Sequence, residues 1–436
     1  MLQLLKSKID KKTARICIVG LGYVGLPLAI EFAKRDFEVI GYDVSVDLVN
    51  NINDLKSHLS TISDELLKSV EFNFKATNSP KKAFTNTDFI IICVPTPVTK
   101  SNDPNLDYIK SALIDILPYL TKDMFLILES TTYPGTTEEI MIPIIEQSGM
   151  VAGLDFGVAY SPERVDPGNI TFNLSNTPKV VGGINEDCAD IARELYSQIT
   201  SVVKVSSLKN AEATKIIENV FRAVNIALVN ELAILAEQLG FDIWEVIDAA
   251  STKPYGFMPH YPGAGVGGHC IPVDPFYLSW KAKEVGLNSK FIELAGEINQ
   301  NMPKHIVNMT IAGLNEVKKS VNGSKVLILG LAYKKDVNDL RNSPMLSVFE
   351  QLLKMGAEVS YNDEFINEVR MDNELLASTP LETIQNFDCV IIGVKHSYYD
   401  LDYISSQFIS DVVVVDCINV LNQNQSKCCV LKKLGQ

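Results

Sequence analysis

Cys270 stands in a setting that invites chemistry. Four glycines lie in the seven residues before it, in GAGVGGHC, and Asp274 follows four residues later in CIPVD. Glycines let a substrate come close to the backbone, and a nearby cation or polar group can make the thiolate available. His269 is adjacent, but neighbours in sequence point in different directions, so it is not assumed to activate the thiol. The stretch by itself leaves a nucleophile, a buried thiol and a disulfide partner open. Lys215 and Asn219 form a second pair, four residues apart on one face of an otherwise apolar helical pattern. A lysine so placed can carry a perturbed pKa, and the same pattern also suits a surface lysine that snorkels to water.

Two further motifs point to phosphate. RICIVGLGYVGLPLAIEFAKR has a strand, then Gly20-x-Gly22-x-x-Gly25, then an apolar helix. Gly20 permits the tight turn, Gly22 lets the backbone approach a pyrophosphate, and Gly25 allows close packing of helix on strand. The amides at the helix N-terminus then face the phosphates. Asp43 in VIGYDV lies 18 residues past Gly25, where a carboxylate accepts from ribose hydroxyls and would repel a 2′-phosphate. NAD is therefore expected rather than NADP. A second block opens similarly with KVLILGLAYKKDVNDLRNSP but lacks the glycine fingerprint. Lys334, Lys335 and Arg341 stand there instead, consistent with a local diphosphate site or with a solvated helix start.

The elements that must carry these residues are legible from periodicity. Candidate strands at 15–19, 38–42, 89–94, 125–129, 157–160 and 179–182 are short Ile- and Val-rich runs separated by helical stretches. That pattern indicates a parallel sheet buried on both faces. From Leu208 to about Leu239, apolar residues recur at three- and four-residue spacing until Gly240, a natural stop. Residues 256–268, rich in Gly, Pro and aromatics, read as a loop. A second α/β block runs through 325–329, 358–361, 389–393 and 412–416. The expected divisions are 1–205, 206–310 and 311–436, and the two blocks look like a duplication in architecture only.

Composition narrows the partners. The 436 residues carry 39 Lys and Arg against 53 Asp and Glu, a net charge of −14. An acidic chain argues against a nucleic-acid partner. The eight cysteines show no CxxC or zinc-type spacing, so no metal is expected. Cys17, Cys93, Cys389 and Cys417 lie in strand-like runs, as reduced core thiols do. The opening MLQLLKSKIDKK lacks the run of a signal peptide, and no run reaches 18 apolar residues, so a soluble, cytoplasmic protein without a membrane partner is expected.

GLGYVGLPLA, VPTPV, ESTTYPGTT, SPERVDPG, the Lys215/Asn219 helix, GVGGHCIPVDP and AYKKDVNDLR occur in this order between Arg15 and Arg341. Together they resemble the UDP-glucose/GDP-mannose dehydrogenase family over nearly the whole chain. SPERVDPG and TKPYGFMPHYPGAGVGGHCIPVDPFYLSW are most similar to the branch acting on UDP-N-acetylglucosamine, with UDP-N-acetylmannosamine and UDP-N-acetylgalactosamine enzymes close by. The resemblance implies an α/β fold of two Rossmann-like, doubly wound domains joined by a long central helix and a helical dimerisation region. It implies a homodimer, and a four-electron oxidation of the sugar's primary alcohol to a carboxylate, with two NAD and one water, for surface polysaccharide.

The roles it implies are specific. Asp274 and Lys215 would take the hydroxyl proton through water, and Cys270 would capture the aldehyde as a thiohemiacetal and then carry the thioester. Lys215 and Asn219 would stabilise the oxyanion, while Glu163 and Thr131 would orient the hydrolytic water. The cofactor would meet Gly20, Leu21, Gly22, Tyr23, Val24, Gly25, Asp43, Pro95, Thr96, Thr131 and Arg341. The substrate would meet Glu163, Arg164, Lys215, Asn219, Tyr261, Gly263, Gly267 and Tyr333, with Lys334 on its diphosphate. Two positions depart from the UDP-glucose pattern. Pro167, beside Asp166, replaces a second acid, and TKPYGF holds only Lys253 where an arginine is expected. UDP-glucose is thereby disfavoured. A two-electron β-hydroxyacid dehydrogenase would lack the Cys270 loop and the second block. A silent nucleotide sensor would have no need of Lys215, Asn219, Cys270 and Asp274 together.

Overall fold

The computed structural model describes residues 2–59, 61–99, 103–165, 171–371, 374–422, 424–425 and 429–436. Pro167, one of the two positions that depart from the UDP-glucose pattern, and Asp166 beside it lie outside them. The chain divides into two compact units, Met1–Glu218 with Phe276–Asn288, and Asn219–Pro275 with Ser289–Gln436.

The first unit is built on an eight-stranded sheet of described residues. Its strands are β1 (Arg15–Val19), β2 (Glu38–Tyr42), β3 (Phe74–Thr77), β4 (Phe89–Ile92), β5 (Phe125–Leu128), β6 (Gly157–Tyr160), β7 (Lys179–Gly183) and β8 (Val202–Lys204), in the order β3-β2-β1-β4-β5-β6-β7-β8. The central runs FIII and FLIL are buried at every position, as strands covered on both faces must be. β1 pairs in parallel with both β2 and β4, so the winding reverses beside it. Ligands of such sheets bind at that switch point, beyond the carboxyl ends of the strands. Two outcomes differ from expectation. β3 and β8 are additional edge strands, too short and too polar to stand out as apolar runs. β7 also runs antiparallel to β6, with no helix between them among the described residues to bring the chain back in parallel.

The second unit holds β9 (Lys325–Leu329), β10 (Glu358–Asn362), β13 (Cys389–Ile392), β14 (Val413–Asp416) and β15 (Val430–Lys433), all parallel, in the order β10-β9-β13-β14-β15. A hairpin of β11 (Glu368–Met371) and β12 (Glu374–Ala377) stands apart. β15 and the hairpin were not among the expected strands. The helices Lys290–Glu316 and Pro344–Lys354 pack on this sheet through Met302, Ile306, Val348 and Phe349.

The long helix spans Leu208–Leu239 and stops at Gly240, whose φ is 76°. By length and composition alone it could cross a membrane, a feature the search for unbroken apolar runs did not register. Its buried polar residues, Glu212, Lys215, Asn219 and Asn230, are instead those of a core helix with partners to serve.

Candidate active site

The dinucleotide fingerprint folds as its glycines require. Gly20 has φ 89°, and a Cβ on Gly25 would sit 1.8 Å from the Gly20 carbonyl oxygen. Gly22 faces open space, with nothing within 4 Å of where its Cβ would be, and the helix Gly25–Ala33 begins just beyond. A pyrophosphate fits this cradle. At the end of β2, Asp43 accepts from the Leu21 amide at 2.9 Å and from the Ser45 amide at 3.0 Å, so its carboxylate is fixed at the mouth of the turn. His58, not singled out from the sequence, faces Asp43 and hydrogen-bonds the Leu21 backbone; burial pulls its pKa down against both. Thr96 and Pro95 follow β4, and the Thr96 carbonyl accepts from the Tyr277 hydroxyl.

A buried charge cluster joins Glu163 to the end of β5. Glu129 ends the apolar run of β5, two residues before Thr131. It is paired with Lys179 at the start of β7 and accepts from the Tyr196 hydroxyl at 2.6 Å. Lys179 is 3% exposed, stands over the Tyr196 ring, and reaches Glu163 Oε2 at 3.7 Å. Burial alone would lower the Lys179 pKa, but Glu129 and Glu163 outweigh it and hold the ammonium above its usual value. Glu163 Oε1 takes the amides of Arg164 at 2.8 Å and Val165 at 2.5 Å, whereas its buried Oε2 has no hydrogen-bond partner among the described residues. Arg164 is held by Glu218, with Nε–Oε1 2.9 Å and Nη2–Oε1 2.6 Å. Glu129, Lys179 and Tyr196 escaped the sequence reading. Their signal was a charge at each end of otherwise apolar strands, which burial obliges to find a partner.

On the long helix, Lys215 and Asn219 are 8% and 2% exposed, so Lys215 is not a snorkelling surface residue. One turn earlier, buried Glu212 accepts from the amides of Gly135 and Thr137 at 2.5 and 2.8 Å and from the Thr137 hydroxyl at 2.6 Å. It thus ties the turn after ESTTYP to the helix. In the second unit, Asn219 Nδ2 donates to Asp274 Oδ2 at 2.5 Å. Asp274 opens the helix Asp274–Glu284, and its amide donates to the Cys270 carbonyl at 2.7 Å. Cys270 is part-exposed and unbridged, whereas Cys17, Cys93, Cys389 and Cys417 are buried thiols.

The loop before Cys270 is clamped on both sides. The Gly268 amide donates to the Arg341 carbonyl at 2.9 Å, and Asn342 Nδ2 donates to the Gly268 carbonyl at 2.8 Å. A Cβ on Gly267 would come within 2.6 Å of Tyr333 Cβ. The Gly263 amide donates to Asn230, itself bonded to Asn299 at 2.9 Å. Arg341 is chelated by Asp339, Lys334 is half-buried and Lys335 exposed. Tyr261 stacks on Trp244 and donates to Asp248 at 2.6 Å. Lys253 stands over the Tyr255 ring.

The two blocks share more than architecture. Gly330 repeats Gly20 with φ 81°, and its amide bonds the Asn362 carbonyl at 2.9 Å as that of Gly20 bonds Tyr42 at 2.8 Å. Asp363 repeats Asp43, accepting from the Leu331 amide at 2.9 Å. There the resemblance ends, because His396 covers Asp363 at 3.0 Å. The second block's acid is thus sealed where the first block's stands at the mouth of its turn.

Comparison with known proteins places these features. The models of the UDP-glucose/GDP-mannose dehydrogenase family match in sequence: its NAD binding domain at residues 14–200, its central domain at 209–301 and its UDP binding domain at 327–423. The chain is 38% identical to Protein CapL of Staphylococcus aureus over 94% of this chain and 97% of that one. It is 37% identical to the UDP-N-acetyl-D-glucosamine 6-dehydrogenase of Salmonella typhi over 88% and 90%. Among solved structures it is similar to the UDP-D-ManNAc dehydrogenase from Pyrococcus horikoshii, with TM-score 0.87 and 32% identity over 97% and 99%.

Proposed function

Because the chain belongs to the UDP-glucose/GDP-mannose dehydrogenase family and is an NAD-dependent UDP-sugar dehydrogenase, we propose that it oxidises a UDP-N-acetylhexosamine, foremost UDP-N-acetylglucosamine, at C6 to the uronic acid. One observation carries the chemistry: Asp274, one turn beyond a part-exposed Cys270, is buried and accepts from buried Asn219. NAD, when bound, takes up the hydride of each oxidation.

In this reading Asp43 accepts from the ribose, and Lys334 meets the substrate diphosphate. Asp274 and Lys215 receive the proton of the sugar hydroxyl through a water. Cys270 Sγ adds to the C6 aldehyde, which keeps it from escaping as hydrate between the two oxidations. Lys215 and Asn219 stabilise the oxygen of the thiohemiacetal, since a cation and an amide already in place need no reorganisation. Glu163 and Thr131 orient the water that cleaves the thioester. Lys253 stands over the Tyr255 ring where the UDP-glucose pattern has an arginine, a departure that supports an N-acetylated sugar over UDP-glucose. UDP-N-acetylmannosamine is the second reading, favoured by the similarity to the Pyrococcus enzyme. We also propose a homodimer formed through residues 206–310, working in the cytoplasm to supply uronic acids for surface polysaccharide.

The test is a panel of UDP-N-acetylglucosamine, UDP-N-acetylmannosamine, UDP-N-acetylgalactosamine and UDP-glucose with NAD. Two NADH per sugar and the highest kcat/KM on UDP-N-acetylglucosamine are expected. Preference for UDP-glucose would overturn the substrate, and one NADH per sugar would overturn the four-electron course.

A further inference from the structure

We propose that Lys179 is a positioning residue for thioester hydrolysis: its buried ammonium, shared between Glu129 and Glu163, holds the Glu163 carboxylate where it takes a proton from the attacking water. The inference rests on the covalent reading above. In that step the water oxygen bonds to the acyl carbon, the C–S bond breaks with its electron pair returning to Cys270 as thiolate, and the water proton passes to Glu163. No oxidant or reductant is needed.

Three observations meet here. Glu163 is half-fixed: Oε1 is pinned by the Arg164 and Val165 amides, while buried Oε2 lacks a hydrogen-bond partner among the described residues and faces Lys179 Nζ at 3.7 Å. That separation suits an ion pair that sets direction but leaves Oε2 able to take a hydrogen bond from water. Second, Lys179 is itself held in place, by the Glu129 carboxylate on one side and the Tyr196 ring beneath it, with the Tyr196 hydroxyl fixing the other oxygen of Glu129. Third, stability gives this cluster little reason to exist. A buried ion pair seldom improves on an apolar pair of the same volume, and Glu129 and Lys179 adjoin runs of FLIL and VVGG. Glu129 also lies two residues before Thr131, the other residue proposed to orient the water.

The test is the double variant Glu129→Gln/Lys179→Met, which removes both members of the fully buried pair and leaves Glu163 held by the Arg164 and Val165 amides alone, measured beside Glu163→Gln. The double variant should bind NAD as wild type does and release two NADH per active site in a first burst. Steady-state kcat should then fall by about 10- to 100-fold with KM little changed, the scale of a displaced general base. Intact mass should show the acyl adduct on Cys270, and hydroxylamine, which cleaves a thioester without a base, should restore turnover. Should the double variant not fold, Lys179→Arg, which keeps the charge but moves it, should show the same adduct and rescue. Wild-type kcat, or a loss with neither adduct nor rescue, would overturn the role of Lys179. An adduct in Glu163→Gln alone would do the same while leaving the covalent course standing. No adduct in any variant would bring down the covalent course and this proposal together.

Discussion

Cys270 differs from the strand cysteines in its surroundings. Burial pushes the thiols of Cys17, Cys93, Cys389 and Cys417 well up and keeps them uncharged and inert. Cys270 is part-exposed, in a loop whose backbone is held at Gly268 by the Arg341 carbonyl and the Asn342 side chain. Cys270→Ser should therefore fold and bind NAD and UDP-sugar normally. Because a hydroxyl is far less acidic than a thiol, sustained turnover should fall by about a thousandfold or more. Steady-state NADH release with binding titrations checks this, and near-normal uronic acid formation would refute it. Asp43 permits a second prediction. Its oxygens are fixed by the Leu21 and Ser45 amides, and the adjacent Val44 is 77% exposed. Asp43→Ser/Val44→Arg should weaken NAD by about tenfold or more and admit NADP, since the arginine can pair with a 2′-phosphate. If wild type already uses both cofactors equally, Asp43 does not set the choice.

At the scale of elements, the long helix and the ESTTYPGTT turn are joined by Glu212. Burial raises its pKa to about 7, against the Thr137 and Gly135 hydrogen bonds that pull it down. The folded chain thus favours the protonated acid. The stability this contributes is complete below the ordinary value of 4.5 and is lost as pH rises through about 7. Glu212→Gln cannot ionise, so wild type should lose about 3 kcal/mol relative to it between pH ~4.5 and ~8. Urea unfolding of both proteins at pH 5 and pH 8 measures this, and an unchanged difference would refute it. Glu212 also marks a boundary of what sequence can tell. Short-range spacing disclosed the fingerprint, Asp43, the Cys270–Asp274 turn and the strands with unbroken apolar runs. It did not disclose β3, β8 or β15, whose edge positions need no such run, nor the reversal of β7, which depends on how the chain returns from SPER. Glu212 with Thr137 and Glu129 with Lys179 pair residues far apart in sequence, and only the folded sheet shows which buried charge meets which.

At the scale of the whole molecule, one face of the long helix asks for a partner. Phe221, Leu228 and Leu235, spaced by seven, fall on one side, with Leu239 a turn further, and all four are exposed in the single chain. Fully burying a large apolar side chain gains about 1.5–3 kcal/mol, so covering a row of half-exposed ones on one helix would stabilise the chain. A second copy is the occupant we propose, because an isologous dimer sets the same row against itself. Wild type should sediment at twice the 48.2 kDa chain mass at micromolar concentration. Leu228→Glu/Leu235→Glu should bring it to monomer mass by setting like charges across the two-fold. Both side chains point outward from their own unit, so its helix content by circular dichroism should hold. A wild-type monomer, or a double variant that still sediments as a dimer, would remove this face as the interface.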